Sequence, residues 1–383
     1  MATPISIPFN QPFLTGREAH YMYQAVHSKK LSGNGLFTKR CHQYFSERFG
    51  FGKCLLTSSC TDALEMAALL ARIEPGDEVI MPSYTFVSTA NAFVLRGANI
   101  VFADSRTDHP GIDEASVAAL ITERTRAIVP VHYAGVACDM DPLLALCRQH
   151  DLLLIEDAAQ AIDSYYTDGD GQRLALGSIG QLGAFSFHET KNIISGEGGM
   201  LTVNDAQYAH RAEIIWEKGT NRSAFFRGEV DKYGWVGMGS SFLPSEITAS
   251  FLWAQLEEMG QIQARRQAIW QRYYAGLEAW ATRTGTTLPH VPDYATNNAH
   301  MFYLVCPDAA FRKRLIAHLK GAGILAVFHY LSLHQSAFYA DRHDGRALPQ
   351  SDRYSDCLVR LPLFYELSDE QQTYIIEKVL EVD

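Results

Sequence analysis

Between residues 50 and 205, short apolar runs of strand length alternate with stretches whose apolar residues recur at helical spacing. The runs are continuously apolar, without the polar residue at every second position that a half-exposed strand would show. Strands of this kind are buried on both faces, and the helices between them supply the covering layers. The runs are residues 53–57, 78–81, 100–103, 127–132, 152–156, 183–187 and 200–203. The pattern predicts an α/β fold whose central sheet is mostly parallel and flanked by helices.

Helical periodicity dominates after residue 205, and it predicts one long helix over residues 247–277. After Pro289 the pattern changes to a second, smaller set of strands and helices. The predicted strands are 301–305 and 324–328, and the predicted helices are 311–322 and 369–380. We therefore expect a large domain over residues 1–270 and a small C-terminal α/β domain over residues 271–383.

The composition narrows the class of protein. The chain has 383 residues, of which 47% are hydrophobic, and its formal net charge is −10. This charge argues against a general nucleic-acid or membrane-surface binder. No stretch reaches the roughly 18 to 20 apolar residues that cross a bilayer, and the N-terminus has no signal-like apolar segment. The seven cysteines are scattered without zinc-site spacing, so we expect reduced thiols, no metal and a cytoplasmic location.

Two segments at strand ends carry candidate chemistry. Residues 57–64 lie at a strand-to-helix turn, where free backbone N–H groups form a site for a phosphate, although an ordinary Ser/Thr cap is the simpler interpretation. Asp157 lies at the carboxyl end of an apolar strand, where open α/β sheets bind ligands. A dry carboxylate there needs a cationic partner, such as a protonated ring nitrogen. A helix cap or a metal ligand is equally compatible with this position.

A lysine and a glycine-rich turn follow. Lys191 comes soon after the apolar run 183–187, and a lysine desolvated near a cation or an aldehyde loses its proton and becomes a nucleophile. A surface lysine in a loop is the alternative. Residues 195–199, Ser-Gly-Glu-Gly-Gly, predict positive φ angles or close packing around a ligand. They lack the G-x-G-x-x-G spacing of a dinucleotide turn, which argues against an NAD-dependent oxidoreductase.

The order of these segments, together with several further phrases, resembles the sugar aminotransferase family of fold-type I pyridoxal-phosphate enzymes. The similarity covers nearly the whole chain, and so many ordered phrases argue against chance. The phrases are GDEVIMP at 76–82, TFVST at 85–89, VHYAG at 131–135, EDAAQ at 156–160, FSF at 185–187, KN at 191–192 and GEGG at 196–199.

The resemblance implies pyridoxal 5'-phosphate as the cofactor, with pyridoxamine 5'-phosphate as its aminated form. Lys191 matches the lysine that holds the cofactor covalently, and Asp157 matches the acid that pairs with the pyridine nitrogen. Cys60, Thr61 and Ser186 match the positions that bind the cofactor phosphate. Family members often have glycine at the first of these positions.

Three further residues match cofactor contacts of the family. Phe86 matches the aromatic residue that stacks on the ring, with plain core packing as the alternative. Gln160 matches a residue near the ring hydroxyl. Ser241 matches an asparagine that relatives contribute across a dimer interface to the cofactor phosphate, so we expect a homodimer with shared active sites.

The resemblance also implies a substrate region. His329, Tyr330 and His334 fall where relatives approach a sugar nucleotide, although ordinary structural roles are an equal alternative. Arg222 and Arg227 lie in a polar, aromatic segment that is typical of a mobile flap, and either could bind phosphates. A merely solvated loop is the competing interpretation of that segment.

The implied reaction is amino transfer from L-glutamate to a nucleotide-linked keto sugar, and some phrases favour a dTDP-linked 4-keto sugar. Alternatives are a 3-keto sugar, a different nucleotide, a dehydratase of the same fold, or a catalytically silent sugar-nucleotide binder. The dehydratase branch of the family has histidine in place of the lysine, so Lys191 argues against it.

Overall fold

The computed structural model describes residues 6–383, and its central element is a seven-stranded sheet. The strands in chain order are β1 Lys53–Thr57, β2 Glu78–Pro82, β3 Asn99–Ala103, β4 Thr125–Ile128, β5 Leu153–Asp157, β6 Tyr165–Thr167, β7 Arg173–Ala175, β8 Leu182–Ser186, β9 Gly199–Val203, β10 Phe302–Val305 and β11 Leu358–Leu361. The α-helices are α1 Glu18–His27, α2 Leu36–Phe49, α3 Cys60–Leu70, α4 Val87–Val94, α5 Glu114–Leu120, α6 Met140–His150, α7 Ala209–Trp216, α8 Arg222–Phe226, α9 Glu246–Glu257, α10 Met259–Thr284, α11 Ala309–Gly321, α12 Pro349–Cys357 and α13 Asp369–Leu380.

The sheet confirms the predicted α/β fold. Its strand order is β1-β9-β8-β5-β4-β2-β3. Strands β2, β3, β4, β5 and β8 pair in parallel, whereas β9 runs antiparallel to both of its neighbours, β8 and β1. Each of the seven apolar runs overlaps one strand of this sheet, although the run 127–132 is a strand only as far as Ile128.

Both faces of the sheet are buried, which explains why the strands are apolar throughout. Consecutive side chains of a strand point to opposite faces. Val79 packs in the layer that contains α3, α4 and α7, and Ile80 packs in the layer that contains α2, α6 and α9. Because each layer is apolar, neither of two consecutive strand positions accepts an unpartnered polar residue.

The C-terminal part of the chain has a core of its own. Strands β10 and β11 pair antiparallel, and α10, α11 and α13 pack with them in a separate apolar cluster. The division of the chain into two domains near residue 270 stays a prediction, and α10 runs without interruption through that position. None of the helices formed by residues 6–383 combines the length and apolar character that crossing a bilayer requires.

Two predicted elements were wrong. The helix predicted over 247–277 is two helices, because the backbone leaves helical geometry at Glu258 (φ −104°, ψ 9°). The helices have different partners, since α9 packs on α1 and α2 while α10 packs on α13. The strand predicted over 324–328 forms only single bridges, from Ile324 to Ile7 and from Val327 to Arg360.

A buried carboxylate joins α9 to the start of α2. Gly35 precedes α2 and has no side chain that could cap the helix, so the first N–H groups need another acceptor. Glu246, which is 2% exposed, supplies it. Its carboxylate accepts from the N–H groups of Gly35 at 2.9 Å, Phe37 at 2.8 Å and Thr38 at 3.2 Å, and from the Thr38 hydroxyl. This interaction fixes the two helices of that layer against each other.

Replacing this carboxylate should destabilise the protein. In Glu246→Ala, the three buried N–H groups lose their acceptor, and we expect the free energy of unfolding to fall by about 3 kcal/mol. Urea denaturation followed by circular dichroism measures the change. Glu47→Ala on the exposed face of α2 is the matched control and should stay within about 0.5 kcal/mol of the parent. Equal midpoints for the two variants would contradict the assigned role.

Candidate active site

A cavity of about 770 Å³ lies at the carboxyl ends of β5 and β8. Pockets of this size hold drug-sized ligands and cofactors. The cavity is lined by the start of α3, the residues before and within α4, the loop after β8, and residues of the C-terminal part around 300, 327–330 and 360–363. Among residues 6–383, no three His, Cys, Asp or Glu residues are grouped to hold a metal ion.

Asp157 forms part of the cavity wall at the last position of β5. Its side chain is 5% exposed. The Thr89 hydroxyl donates to one carboxylate oxygen at 2.7 Å, and the N–H of Ala159 donates to the other at 3.1 Å. Burial raises the pKa of Asp157, while these two hydrogen bonds oppose the rise. A carboxylate held this dry is stabilised by any positive charge that enters the cavity.

The preceding residue, Glu156, anchors the end of β5 from the opposite face. Its buried carboxylate accepts from the N–H groups of Gly177, Ile179 and Gly180, each at 2.7 Å, and lies 3.0 Å from Nε2 of His132. The strand end that carries Asp157 is therefore rigid. Sequence reasoning did not assign roles to His132 or Thr89, although both lie within phrases that carried the resemblance.

Lys191 lines the same cavity as Asp157. Its N–H donates to the carbonyl of His188 at 2.9 Å, which closes a turn after β8. Burial lowers the pKa of Lys191, and the negative charge of Asp157 acts in the opposite direction. The next residue fixes this turn, because the Asn192 amide donates to Gln263 on α10 and to the carbonyl of Asn298, both at 2.8 Å.

The start of α3 forms one corner of the cavity, which we call the anion corner for the free N–H groups described next. The Ser59 hydroxyl caps the helix by accepting from the N–H of Asp62 at 3.0 Å. The N–H groups of Cys60 and Thr61, the first two helical residues, therefore have no partner within the helix. Ser186 at the end of β8 lines the cavity too. The corner has the donors that a phosphate group needs.

The glycine-rich turn packs directly against this corner. Gly196 adopts φ +78°, as predicted for one of these glycines. A Cβ on Gly199 would lie 2.4 Å from the backbone carbonyl of Ser59 and 2.5 Å from the nitrogen of Cys60. Position 199 therefore requires glycine so that β9 can approach the start of α3.

A polar and aromatic group forms another part of the cavity wall. Gln160 accepts from the N–H of Ala134 at 2.6 Å and donates to the Tyr330 hydroxyl at 2.9 Å. Tyr330 stacks on His329, with ring centroids 3.5 Å apart, and Phe86 is 54% exposed where it lines the cavity. Burial lowers the pKa of His329 well below its ordinary value.

The structure of the single chain does not bring all the predicted residues together. His334 is buried outside the cavity, because its ring contacts the Ser83 hydroxyl at 2.8 Å and lies 3.6 Å from Asp352. Ser241 pairs with Glu217 in a backbone bridge and does not line the cavity.

The two predicted phosphate-binding arginines also lie outside the cavity. Arg227 forms ion pairs with Glu213 at 2.9 Å and Glu229 at 2.6 Å. Arg222 packs over Phe226, with 5.1 Å between its guanidinium carbon and the ring centroid. A cavity residue that sequence reasoning missed is Arg360, whose signal is a single arginine within the apolar run LVRLPL.

The residues of the cavity fit pyridoxal phosphate. The cofactor has an anionic group, a basic ring nitrogen and an aldehyde, and the cavity offers free N–H groups, a dry carboxylate and a desolvated amine for them. Each of these protein groups is incompletely satisfied by the chain itself. The arrangement can therefore bind a charged aromatic aldehyde and move a proton beside it.

Comparisons with known proteins agree with this chemistry. Residues 13–380 match the DegT/DnrJ/EryC1/StrS aminotransferase family. The chain is 31% identical to the spore coat polysaccharide biosynthesis protein SpsC of Bacillus subtilis, over 98% of this chain and 97% of that protein. The aminotransferase TlmJ of Streptoalloteichus hindustanus is 30% identical and superposes with a TM-score of 0.89, with 98% of each chain covered.

A third relative has been solved with and without cofactor. Spr1654 of Streptococcus pneumoniae is 26% identical, and its PLP form superposes with a TM-score of 0.88 over 99% of this chain and 98% of that one. Its PMP form gives a TM-score of 0.89. The chain therefore belongs to the DegT/DnrJ/EryC1/StrS aminotransferase family, whose enzymes bind pyridoxal phosphate.

Proposed function

We propose that this enzyme transfers the amino group of L-glutamate to C4 of dTDP-4-keto-6-deoxy-D-glucose, giving dTDP-4-amino-4,6-dideoxy-D-galactose and 2-oxoglutarate. The observation that carries the proposal is that Lys191 and Asp157 line one cavity together with the start of α3. An amine, a carboxylate and an anion corner around one space are the requirements for amino transfer with this cofactor.

The choice of sugar rests on the sequence. Several phrases resemble the dTDP-4-amino-4,6-dideoxygalactose transaminase of enterobacterial common antigen synthesis. The phrases are residues 79–97, 187–192, 217–222, 225–228, 327–330 and 361–365. Segment 327–330 lines the cavity with Lys191, so part of this similarity lies where a substrate would bind.

We assign the cofactor contacts to residues of the cavity. Cys60, Thr61 and Ser186 would hold the phosphate through backbone N–H groups and a hydroxyl. Asp157 would pair with the ring nitrogen and keep it protonated, since a buried carboxylate is stabilised by a positive partner. Lys191 would hold the aldehyde carbon.

Two further residues would fix the ring, Phe86 against its face and Gln160 beside its hydroxyl. Gln160 is itself held in place by Ala134 and Tyr330. The bound cofactor supplies an electron sink for the carbon that loses its proton.

Lys191 would carry the proton in both halves of the reaction. Because burial lowers its pKa, its amine is neutral at a lower pH than that of an exposed lysine, as a general base requires. It would remove the proton from Cα of glutamate and later deliver a proton to C4 of the sugar. The side of the sugar that faces Lys191 decides between the axial and the equatorial amine, and the galacto product has the axial one.

We further propose that two copies of the chain share their active sites. Ser241, Arg222 and Arg227 lie outside the cavity of their own chain, which is the arrangement expected if they serve the neighbouring copy. The same region exposes Trp235, whose side chain is 86% accessible in the single chain. A homodimer would cover this surface and bring the arginines to the nucleotide phosphates.

The reaction itself is tested with defined substrates. We expect purified enzyme to convert dTDP-4-keto-6-deoxyglucose and glutamate to an amino sugar and 2-oxoglutarate, with an axial 4-amine in the NMR spectrum of the product. A 3-keto dTDP sugar is the matched control and should turn over much more slowly. Faster turnover of the 3-keto sugar, or an equatorial amine, would contradict the proposed substrate or product.

Removing the amine of Lys191 should abolish covalent retention of the cofactor. After borohydride reduction, intact-mass analysis should show the cofactor attached to the parent protein and absent from Lys191→Ala. Turnover should fall by roughly 10⁴-fold, because the general base is lost. Lys320→Ala, on the exposed surface of α11, is the control and should behave as the parent. A Lys191→Ala enzyme with parental turnover would exclude this mechanism.

Removing the charge of Asp157 should change both turnover and the titration of Lys191. Asp157→Asn should lose on the order of 10³-fold in turnover, because the ring nitrogen loses its partner. In protein stripped of cofactor, the negative charge of Asp157 raises the pKa of Lys191. The pH at which half of the protein has bound added pyridoxal phosphate covalently should therefore be lower for Asp157→Asn than for the parent.

Thr89→Val provides the matched comparison, since it keeps the charge at position 157 and removes one hydrogen bond. Its loss of turnover should be smaller than that of Asp157→Asn. An Asn variant with parental turnover and an unshifted pH of half-maximal cofactor binding would contradict the role assigned to Asp157.

A further inference from the structure

Arg360 projects a guanidinium group into the wall of the cavity that contains Lys191. It lies in β11, and its backbone exchanges two hydrogen bonds with Val327, at 2.7 and 3.1 Å. This pairing fixes the direction of the side chain. Lys191 and His329 line the same cavity as Arg360.

The guanidinium has little compensation from the chain itself. Among residues 6–383, no Asp or Glu side chain forms an ion pair with Arg360. Its Nε is buried without a hydrogen-bond partner, and one terminal nitrogen donates to the carbonyl of Phe328 at 3.3 Å. The ring of Phe9 lies 4.5 Å from the guanidinium carbon. A partly buried cation without an ion-pair partner is stabilised when a ligand supplies the anion.

The charges of the cavity lining point to the same conclusion. Lys191 and Arg360 are its only lysine or arginine side chains in the described chain. Of its two carboxylates, Asp157 is held by Thr89 and Ala159, while Glu197 is 71% exposed and lies 3.7 Å from His188. Arg360 is therefore the permanent positive charge of the cavity that has no assigned partner.

We propose that Arg360 binds a carboxylate of the amino donor. The inference rests on the proposed function, since it requires an amino-acid donor to enter this cavity. A planar guanidinium matches a planar carboxylate through two parallel hydrogen bonds. A nucleotide diphosphate carries more negative charge and needs several donors, whereas among residues 6–383 Arg360 is the one guanidinium lining this cavity.

A carboxylate held by Arg360 would also orient the donor. With its carboxylate fixed on the β11 side, the amino acid would have its Cα held at a defined position relative to Lys191. The same contact would favour amino acids over neutral amines as donors, because an amine without a carboxylate would leave the guanidinium unpaired.

The test compares Arg360→Gln with the parent holoenzyme, using an unreactive dicarboxylate and a nucleotide as separate probes. Isothermal titration calorimetry with glutarate should show roughly 10- to 100-fold weaker binding to the variant, and binding of dTDP should be unchanged. The concentration of glutamate that half-converts the cofactor absorbance should rise by a similar factor. Thermal unfolding of the variant should be no lower than that of the parent, because the replaced cation has no ion-pair partner.

Arg312→Gln is the matched control. Arg312 lies on α11, donates to the carbonyl of Ser355 and does not line the cavity, so its replacement should leave glutarate binding unchanged. Unchanged glutarate affinity in Arg360→Gln would overturn the inference, as would a loss of dTDP affinity with glutarate binding retained. A parent enzyme whose cofactor absorbance does not respond to glutamate would instead contradict the proposed function.

Discussion

The site depends on a carboxylate, that of Asp157, which is shielded from water at the end of the buried strand β5. Asp157 is buried in the cavity wall, and its carboxylate accepts two hydrogen bonds, from Thr89 and Ala159. Such a group is costly unless a positive partner joins it. Its neighbour Glu156 is fully satisfied by three N–H groups and His132, so the strand end stays rigid while Asp157 remains available. The two adjacent carboxylates thus differ, because Glu156 is held by the chain and Asp157 faces the cavity.

The positive groups of the cavity follow the same logic. Lys191 and Arg360 are both desolvated, and burial lowers the pKa of each. The chain therefore concentrates desolvated charged groups in one cavity. Satisfied hydrogen bonds nearby hold them in place, such as those from the Asn192 amide to Gln263 on α10 and to the carbonyl of Asn298. Preorganised groups of this kind need little rearrangement when substrate charge appears. The large apolar cores on both sides of the sheet offset the free energy that is lost by burying these charges.

Features that depend on neighbouring residues in the chain could be predicted from the sequence, whereas features that depend on distant residues could not. The strands of the sheet were predictable because an apolar layer covers each face, so that apolar residues occur at consecutive strand positions. Lys191 and Asp157 were predicted from their order along the chain and from the family resemblance, and the structure places both in one cavity. Residues 324–328 have the composition of a strand, but without a long partner they make only single bridges. Arg360 was not predicted, because the absence of a neutralising partner depends on residues that are distant in the sequence. His334 was predicted near the substrate, but its ring contacts the hydroxyl of Ser83, which lies 251 positions away in the chain.

The missing side chain at Gly199 has a consequence for how the site is held together. Gly199, at the start of β9, packs so closely against the peptide between Ser59 and Cys60 that a Cβ atom would not fit. Two parts of the site that are distant in sequence, the anion corner and the loop ending in the glycine turn, therefore share one contact surface. A shift of either part would displace the other, so the positions of Lys191 and of the N–H groups at the start of α3 depend on each other. Any bulkier residue at this point would alter both at once.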